Sequence, residues 1–326
     1  MTYTRRTMFT LAAALAAAPA ARAQTSPYAA AAAYSAASNG VSMLVMQRGK
    51  ILFEDYPNVG GVGQAWELAS GTKSFSGVMA AAGVTDGLLA LDETCAATLP
   101  EWRGDGRAAI TIRHLLTLTS GIAGGGIGRP PPYAEAIASP LATAPGARFM
   151  YGPAPFQVFG EIMRRKLNGD PLAYLQRRIF DPLKITPQRW RRGQDGYPHL
   201  PSGAALTARD WAVFAQYVLD GAKGLDRAAM AAQFEPTAAN PGYGLTWWLL
   251  RPGLKGPSPR SGIDAGAVPN AEAEQIVMAA GAGNQRLYLA RKRGLVIVRQ
   301  ASGVMRALRG QGPAWSDKEF LTLALG

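Results

Sequence analysis

The sequence is poor in the side chains that bind metals or form disulfides. It has one cysteine and two histidines among 326 residues. A single cysteine excludes an intramolecular disulfide framework, and so few Cys and His side chains argue against a structural zinc site. No apolar stretch reaches the roughly twenty residues that a membrane-spanning helix needs. We therefore expect no metal, no cofactor and no integral membrane span.

Acidic residues are also few. The chain has 22 Asp and Glu against 34 Lys and Arg, a formal net charge of +12. Such a surplus invites a nucleic-acid interpretation, but the basic residues are scattered in short runs and no nucleic-acid-binding motif accompanies them. A hydrophobic fraction of 48% excludes a disordered chain and provides for a substantial core. We expect a globular protein without a nucleic-acid partner.

The first 23 residues have the three parts of an export signal. Arg5 and Arg6 are followed by an apolar run over 8–18 and by the small-x-small sequence at 21–23. This pattern predicts a signal peptide over 1–23, of the twin-arginine type, with an ordinary Sec signal as the alternative. The mature chain, 24–326, would be periplasmic or secreted. Its charge would be near +9, because three arginines and no acid lie within the signal.

Hydrophobic patterning in the mature chain predicts strands at both ends and helices between them. The predicted strands are 41–46, 51–56, 244–250, 274–279, 285–290 and 295–299. The predicted helices are 28–37, 73–83, 112–118, 156–167, 172–179, 208–219 and 315–325. We therefore expect an α+β fold. In it, an antiparallel sheet is flanked by the N- and C-terminal helices and carries an inserted, mainly helical subdomain. The α/β part would comprise about 27–72 and 240–326, and the helical part about 73–239.

Ser70 and Lys73 are the strongest candidates for chemistry. The chain has no G-x-S-x-G sequence, and neither histidine belongs to an obvious triad, so a nucleophilic serine would need another base. Residues three apart at a helix start share a face, so the Lys73 amine can reach the Ser70 hydroxyl. A neutral amine there could take the serine proton. The alternative is a solvated helix start without a catalytic role.

Three segments around these residues resemble one family. The sequence over 67–75, the segment 112–121 and the approach to Tyr151 over 145–151 resemble motifs of the serine β-lactamase and penicillin-binding protein superfamily. The similarity is greatest to the class C β-lactamase branch and its esterase and amidase relatives, the family VIII carboxylesterases and 6-aminohexanoate-oligomer hydrolases. The order and spacing of these segments agree with that branch over nearly all of the mature chain.

The resemblance implies a role for each matching residue. Ser70 would be the nucleophile, Lys73 its activating base and Tyr151 a proton shuttle whose phenol pKa is depressed by its neighbours. Tyr133 is a second choice for the shuttle. The backbone N–H groups of Ser70 and Ala282 would form an oxyanion hole.

Two motifs depart from the family pattern. The usual Tyr-x-Asn is Tyr-Gly-Pro at 151–153, so the Asn amide is missing. The usual Lys/His-x-Gly is Ala-Ala-Gly at 279–281, which supplies no cation. Gly281 and Gly283 are expected to bind substrate through the backbone. Arg286 could replace the missing cation, or it could be an ordinary surface arginine on a strand.

These features predict an exported serine hydrolase that cleaves an ester or amide of a small molecule through a Ser70 acyl-enzyme. We expect carboxylesterase or small-amide hydrolase activity rather than efficient β-lactam hydrolysis. One alternative is a true class C-like β-lactamase or D-alanyl peptidase. Another, from a different class, is a catalytically inactive envelope-binding protein. The sequence leaves the oligomeric state open.

Overall fold

The computed structural model describes residues 26–257, 261, 263, 268 and 270–326. The predicted signal peptide lies outside these residues. A six-stranded antiparallel sheet has the order β2-β1-β9-β8-β7-β6. Its strands are β1 (Gly40–Gln47), β2 (Lys50–Asp55), β6 (Trp248–Leu249), β7 (Ile276–Gly281), β8 (Gln285–Ala290) and β9 (Leu295–Ala301). The two ends of the chain thus build one sheet, as the sequence predicted.

The helices are α1 (Ala29–Ala37), α2 (Lys73–Thr85), α3 (Ile112–Leu116), α4 (Tyr133–Ala138), α5 (Ala154–Leu167), α6 (Pro171–Leu175), α7 (Ala208–Leu219), α8 (Arg227–Ala232), α9 (Val304–Leu308) and α10 (Asp317–Leu325). A small sheet has the order β3 (Trp66–Glu67), β5 (Ala204–Leu206) and β4 (Arg189–Trp190). Short 3₁₀ turns lie at Ala69–Thr72, Cys95–Ala97, Pro100–Trp102 and Gly106–Ala109, and a π turn, Gln176–Phe180, continues α6. None of the helices in the described part of the chain is long and apolar enough to cross a membrane.

Helices cover both faces of the large sheet. Successive side chains of a strand point to opposite faces. On β9, Arg299 hydrogen-bonds to Ser35 in α1, whereas Gln300 donates to the Leu206 carbonyl on the side where α7 packs. Helix α10 packs on α1. Strands β7, β8 and β9 are consequently buried along their whole length, and the α+β prediction is confirmed.

The predicted strand over 244–250 is wrong for its first part. Only Trp248–Leu249 form a strand there. Thr246 has a φ of +77°, and the Gly244 N–H donates to the Trp247 carbonyl, so the chain turns back on itself before reaching the sheet. The apolar pattern over this stretch therefore reports burial in a turn. The boundaries proposed for the helical subdomain stay a prediction.

Phe75 fixes the helix that begins at Lys73. Its ring lies 4.5 Å from the ring of Phe214 on α7 and 5.2 Å from that of Phe180, both edge to face. It also contacts Trp190 of the small sheet, with ring centroids 5.8 Å apart. Three separate elements thus hold the first turn of α2.

We expect Phe75→Ala to lower the free energy of unfolding by about 3–5 kcal/mol, because it leaves a cavity among three aromatic rings. Phe75→Leu should cost clearly less, since it retains most of the apolar contact. Urea unfolding of both variants and of the half-exposed control Leu52→Ala measures the difference. A loss below about 1 kcal/mol for Phe75→Ala would contradict the anchoring role.

Candidate active site

Ser70 lies in the 3₁₀ turn between β3 and α2. The preceding residue, Ala69, has a φ of +46°, a left-handed conformation that non-glycine residues rarely adopt. The turn is held on both sides, because the Leu68 N–H donates to the Ala204 carbonyl and the Ser74 hydroxyl donates to the Gly71 carbonyl. The strained backbone is thus stabilised by its surroundings, and it brings Ser70 to the start of α2.

Lys73 is buried beside Ser70. Its Nζ lies 3.1 Å from Ser70 Oγ and 3.2 Å from the Pro201 carbonyl oxygen. The rings of Tyr151 and Phe156 lie over the amine, with centroids 4.8 and 5.4 Å away. Burial disfavours the ammonium form and lowers the pKa of Lys73 to about 7. A large fraction of this amine is therefore neutral near neutral pH, as a base requires.

Tyr151 lies partly buried beside Ser70. A hydrogen bond with Ser70 and the charge of Arg286 both lower the pKa of the phenol, but burial outweighs them and raises the pKa to about 12. The expectation of a depressed phenol pKa is therefore wrong. The physical reason is that desolvation penalises the phenolate more than these two neighbours stabilise it. Tyr151 is a protonated hydrogen-bond donor at neutral pH.

Tyr133, the second choice for the shuttle, lies elsewhere. Its hydroxyl donates to the Pro198 carbonyl at 3.0 Å, and its ring stacks on that of Tyr197. It does not line either of the two cavities that open at Ser70. The phenol is engaged in packing α4 and α5 against the 195–200 segment, so its position favours a structural role.

The hairpin between β7 and β8 lies against the Ser70 turn. A Cβ atom at Gly281 would lie 2.1 Å from the Leu68 carbonyl oxygen, so only glycine permits this approach. Ala282 follows at the hairpin turn and lines both cavities together with Ser70. Gly283 lines the larger cavity. The backbone of the hairpin thus faces the space beside the serine, where the sequence predicted the second oxyanion donor.

Arg286 is buried, with 1% of its surface exposed, so its interpretation as a surface arginine is wrong. Its Nε donates to Asp317 at 2.7 Å, and its terminal nitrogens donate to the carbonyls of Gly281, Gln285 and Ser261. It lines the larger cavity, but these bonds occupy much of its hydrogen-bonding capacity. Arginine takes this place because an ion pair with Asp317 offsets the cost of burying its charge.

Two cavities meet at Ser70. The larger has a volume of about 730 Å³ and extends along the β7–β8 hairpin toward Trp315. The smaller, about 40 Å³, lies toward Lys73 and Pro201. Neither His114 nor His199 lines them, and His114 instead closes a capping box at the start of α3. Among the residues that the structure describes, no group of three or more His, Cys, Asp or Glu side chains could hold a metal ion.

Three contacts at the site were not predicted from the sequence. The Pro201 carbonyl accepts from Lys73, Trp248 stacks on Tyr151 with ring centroids 5.6 Å apart, and Asp317 holds Arg286. Each partner is 31 or more residues away along the chain, as Asp317 is from Arg286. The tryptophan pair at 247–248 indicated a buried aromatic segment, but the sequence did not predict that Trp248 would stack on Tyr151.

The site thus combines Ser70, the buried Lys73, Tyr151 and a hairpin of small residues, and the sequence as a whole matches a known family. The family model described as Beta-lactamase matches residues 15–312. The chain belongs to the Beta-lactamase family. This confirms the resemblance, and the protein has the fold and the family membership of a serine hydrolase.

Curated relatives and solved structures agree with this family. A lovastatin esterase from Penicillium rubens is 30% identical over 155 residues, which are 38% of this chain and 39% of the esterase. The chain thus matches about two fifths of that relative's length. EstCE1, a hydrolase with promiscuous acyltransferase activity, has a TM-score of 0.70 at 15% identity, covering 94% of this chain and 100% of EstCE1. The D-alanine carboxypeptidase AmpC from Burkholderia cenocepacia has a TM-score of 0.64 at 18% identity, covering 94% and 98%. At these identities the two structures establish the fold alone.

We expect Lys73→Met to stabilise the protein, more at about pH 6 than at about pH 9.5. The folded-state pKa of Lys73, about 7, lies below its ordinary 10.5. The unfolded chain therefore binds the extra proton between these values, and the stability of the natural protein rises with pH across that window. Methionine carries no proton, so the gain in the free energy of unfolding from Lys73→Met is greatest below pH 7 and disappears toward pH 10.5.

The advantage of Lys73→Met at low pH should be on the order of a few kcal/mol, measured by chemical unfolding at both pH values. The exposed control Lys50→Met should change stability little and equally at both. An advantage for Lys73→Met that does not shrink with rising pH would mean that the buried amine is not the source.

Proposed function

We propose that this protein is a serine hydrolase that cleaves an ester or a small amide through an acyl-enzyme on Ser70. The observation that carries the proposal is the Lys73 amine, buried and 3.1 Å from Ser70 Oγ with a pKa of about 7. No carboxylate of the described residues pairs with Lys73, so its burial is costly, and such a cost is typical of a catalytic base. Membership of the Beta-lactamase family and the distant esterase relative support the same reaction type.

Each of the three side chains has a defined proton step in this proposal. Neutral Lys73 takes the hydroxyl proton as Ser70 Oγ attacks the carbonyl carbon, and the N–H groups of Ser70 and Ala282 bind the oxyanion. Tyr151, protonated at neutral pH, donates its proton to the leaving oxygen or nitrogen and recovers one from Lys73. In deacylation the same groups pass the proton of a water molecule in the reverse direction.

The site favours substrates without an obligatory carboxylate. Residue 279 is alanine, and Arg286 is held by Asp317 and three backbone carbonyls. Neither therefore offers a cation that is ready to pair with the carboxylate of a penicillin or of a peptide terminus. We place carboxylesterase or small-amide hydrolase activity ahead of β-lactamase or D-alanyl peptidase activity. An inactive binding protein would have no use for the buried Lys73.

Export is part of the same proposal. It rests on the basic, apolar and small-residue parts of the 1–23 segment, which favour a periplasmic or secreted enzyme acting on a small molecule.

A fluorophosphonate probe is expected to label Ser70 and no other serine in the folded protein. Mass spectrometry of the digested adduct identifies the site. Ser70→Ala should lose labelling and at least about a thousandfold of the turnover of a short-chain phenyl ester, since the nucleophile is absent. The matched control Ser139→Ala, at the end of α4 and away from both cavities, should behave as the natural protein does. Labelling elsewhere, or unchanged turnover in Ser70→Ala, would contradict the proposal.

The pH dependence of kcat/KM should follow the neutral fraction of Lys73. We expect kcat/KM for an uncharged ester to rise tenfold per pH unit below a pKa of about 7 and to level off above it. No fall is expected up to about pH 10, because burial raises the pKa of Tyr151 to about 12. Initial rates between about pH 5 and pH 10, corrected for spontaneous hydrolysis, test this. A flat profile below pH 7 would exclude Lys73 as the base.

A further inference from the structure

The two cavities at Ser70 differ greatly in size. The larger, about 730 Å³, lies in the range of about 300–1,000 Å³ that is typical of sites for drug-sized molecules. The smaller, about 40 Å³, has room for a water molecule or a group of a few atoms. Five residues line both: Ser70, Ile127, Tyr151, Ala282 and Leu308. A carbonyl bound at Ser70 would therefore have a spacious side and a narrow side.

Two exposed aliphatic side chains stand where the cavities join. Ile127 of the Gly/Pro loop 122–132 is 51% exposed, and Leu308 of α9 is 38% exposed. The loop and the helix touch, since Leu308 Cδ1 lies 3.2 Å from the position that a Cβ would take at Gly128. Met305, on the same helix and 51% exposed, lines the smaller cavity. Large apolar side chains left in water at the mouth of a site are typical of a binding surface.

The wall of the larger cavity continues this apolar character. Ile263, Ala307, Pro313 and Trp315 line it beyond Leu308. These side chains come from segments far apart in the sequence and form one apolar wall of the cavity, whereas Ser261, Asn284 and Arg286 form a polar part of its lining. The cavity therefore offers hydrophobic burial along the wall that runs from Leu308 toward Trp315.

The charges around the larger cavity disfavour a cationic group. Of the described residues that line it, none is acidic and two are arginines. Arg286 is paired with Asp317, and Arg309 lies exposed at the rim. A positively charged substituent would therefore find no acidic partner among the described residues that line this cavity.

We propose that Ile127, Leu308 and the wall toward Trp315 form a subsite for one large, uncharged apolar group of the substrate, while the smaller cavity admits only a small group on the other side of the scissile bond. This inference rests on the proposed hydrolase function and names the substrate class: esters of a bulky apolar acid with a small alcohol, or of a bulky apolar alcohol with a small acid.

Two mirrored series of uncharged esters test the size difference. One consists of acetates of alcohols from ethyl to octyl, and the other of methyl esters of acids from acetic to octanoic. In one of the series kcat/KM should rise at least about tenfold with chain length, because each buried methylene adds apolar contact. Octyl octanoate should lose that gain, since one of its chains cannot fit the small side. Flat responses in both series, or octyl octanoate as the best substrate, would overturn the subsite.

A terminal charge tests the electrostatic part. In the favoured series, replacing the terminal methyl with a trimethylammonium group should lower kcat/KM at least about tenfold, because the charge would lose its hydration beside two arginines. Equal rates for the neutral and cationic esters would contradict the inferred selectivity.

Leu308→Ser tests the residue assignment. We expect the ratio of kcat/KM for octyl over ethyl substrates of the favoured series to fall about tenfold, mainly through KM, because a serine removes the aliphatic contact. The matched control is Leu52→Ser, another exposed leucine, on the edge strand β2 and away from both cavities, which should leave the ratio unchanged. An unchanged ratio in Leu308→Ser would show that this side chain does not contribute to the subsite.

The subsite and the proposed function fail in different ways. If Ser70→Ala retains turnover of the short esters, the hydrolase proposal fails, whatever the chain-length response. If short-ester turnover depends on Ser70 and shows no size preference, the subsite alone fails. Calorimetric binding of the favoured octyl ester to Ser70→Ala provides a readout without turnover, and Leu308→Ser in that background should weaken it about tenfold.

Discussion

The burial of one amine, that of Lys73, is the constraint on which the site depends. Desolvation lowers the pKa of this amine to about 7, so a large fraction of it is neutral at neutral pH, and it requires that Tyr151, Phe156 and the segment ending at Pro201 exclude water. This arrangement destabilises the fold, because an ammonium would be preferred in water. The aromatic cluster around Phe75, in the same first turn of α2, offsets that cost by fixing the helix to α7 and to the small sheet.

The β7–β8 hairpin approaches Ser70 through a second constraint, the absence of a side chain at Gly281. The close contact with the Leu68 carbonyl fixes the distance between the hairpin and the Ser70 turn. Arg286 then holds the Gly281 carbonyl from the neighbouring strand, and Asp317 at the start of α10 holds Arg286. The C-terminal helix is thus connected to the site through one ion pair. Arg286 thus supports the backbone of the hairpin beside Ser70.

Local features could be predicted from the sequence, and long-range ones could not. The β1–β2 hairpin, the start of α2 and the reach of Lys73 to Ser70 depend on residues a few positions apart, so period and spacing were sufficient. The pKa of Tyr151 was predicted in the wrong direction, because burial depends on elements that meet only in the folded chain. Arg286 was misjudged for the same reason, since its partner Asp317 lies on another element. The apolar pattern over 244–247 predicted correctly that this segment is buried, but it did not predict that the segment forms a turn.

The departures from the family motifs are consistent with one another. At 151–153 the sequence Tyr-Gly-Pro lacks the Asn amide of the family motif. A Cβ at Gly152 would lie 2.1 Å from the Gly124 carbonyl oxygen, so the loop at Gly124 approaches this backbone closely. The Gly/Pro loop therefore packs directly against the backbone at Gly152, and it carries Ile127 to the junction of the two cavities. The missing cation at 279 removes a second polar group from the same region. Both changes lower the polarity around Ser70, and low polarity is also what keeps Lys73 neutral. The chemistry of the base and the apolar character of the cavity thus have a common physical cause.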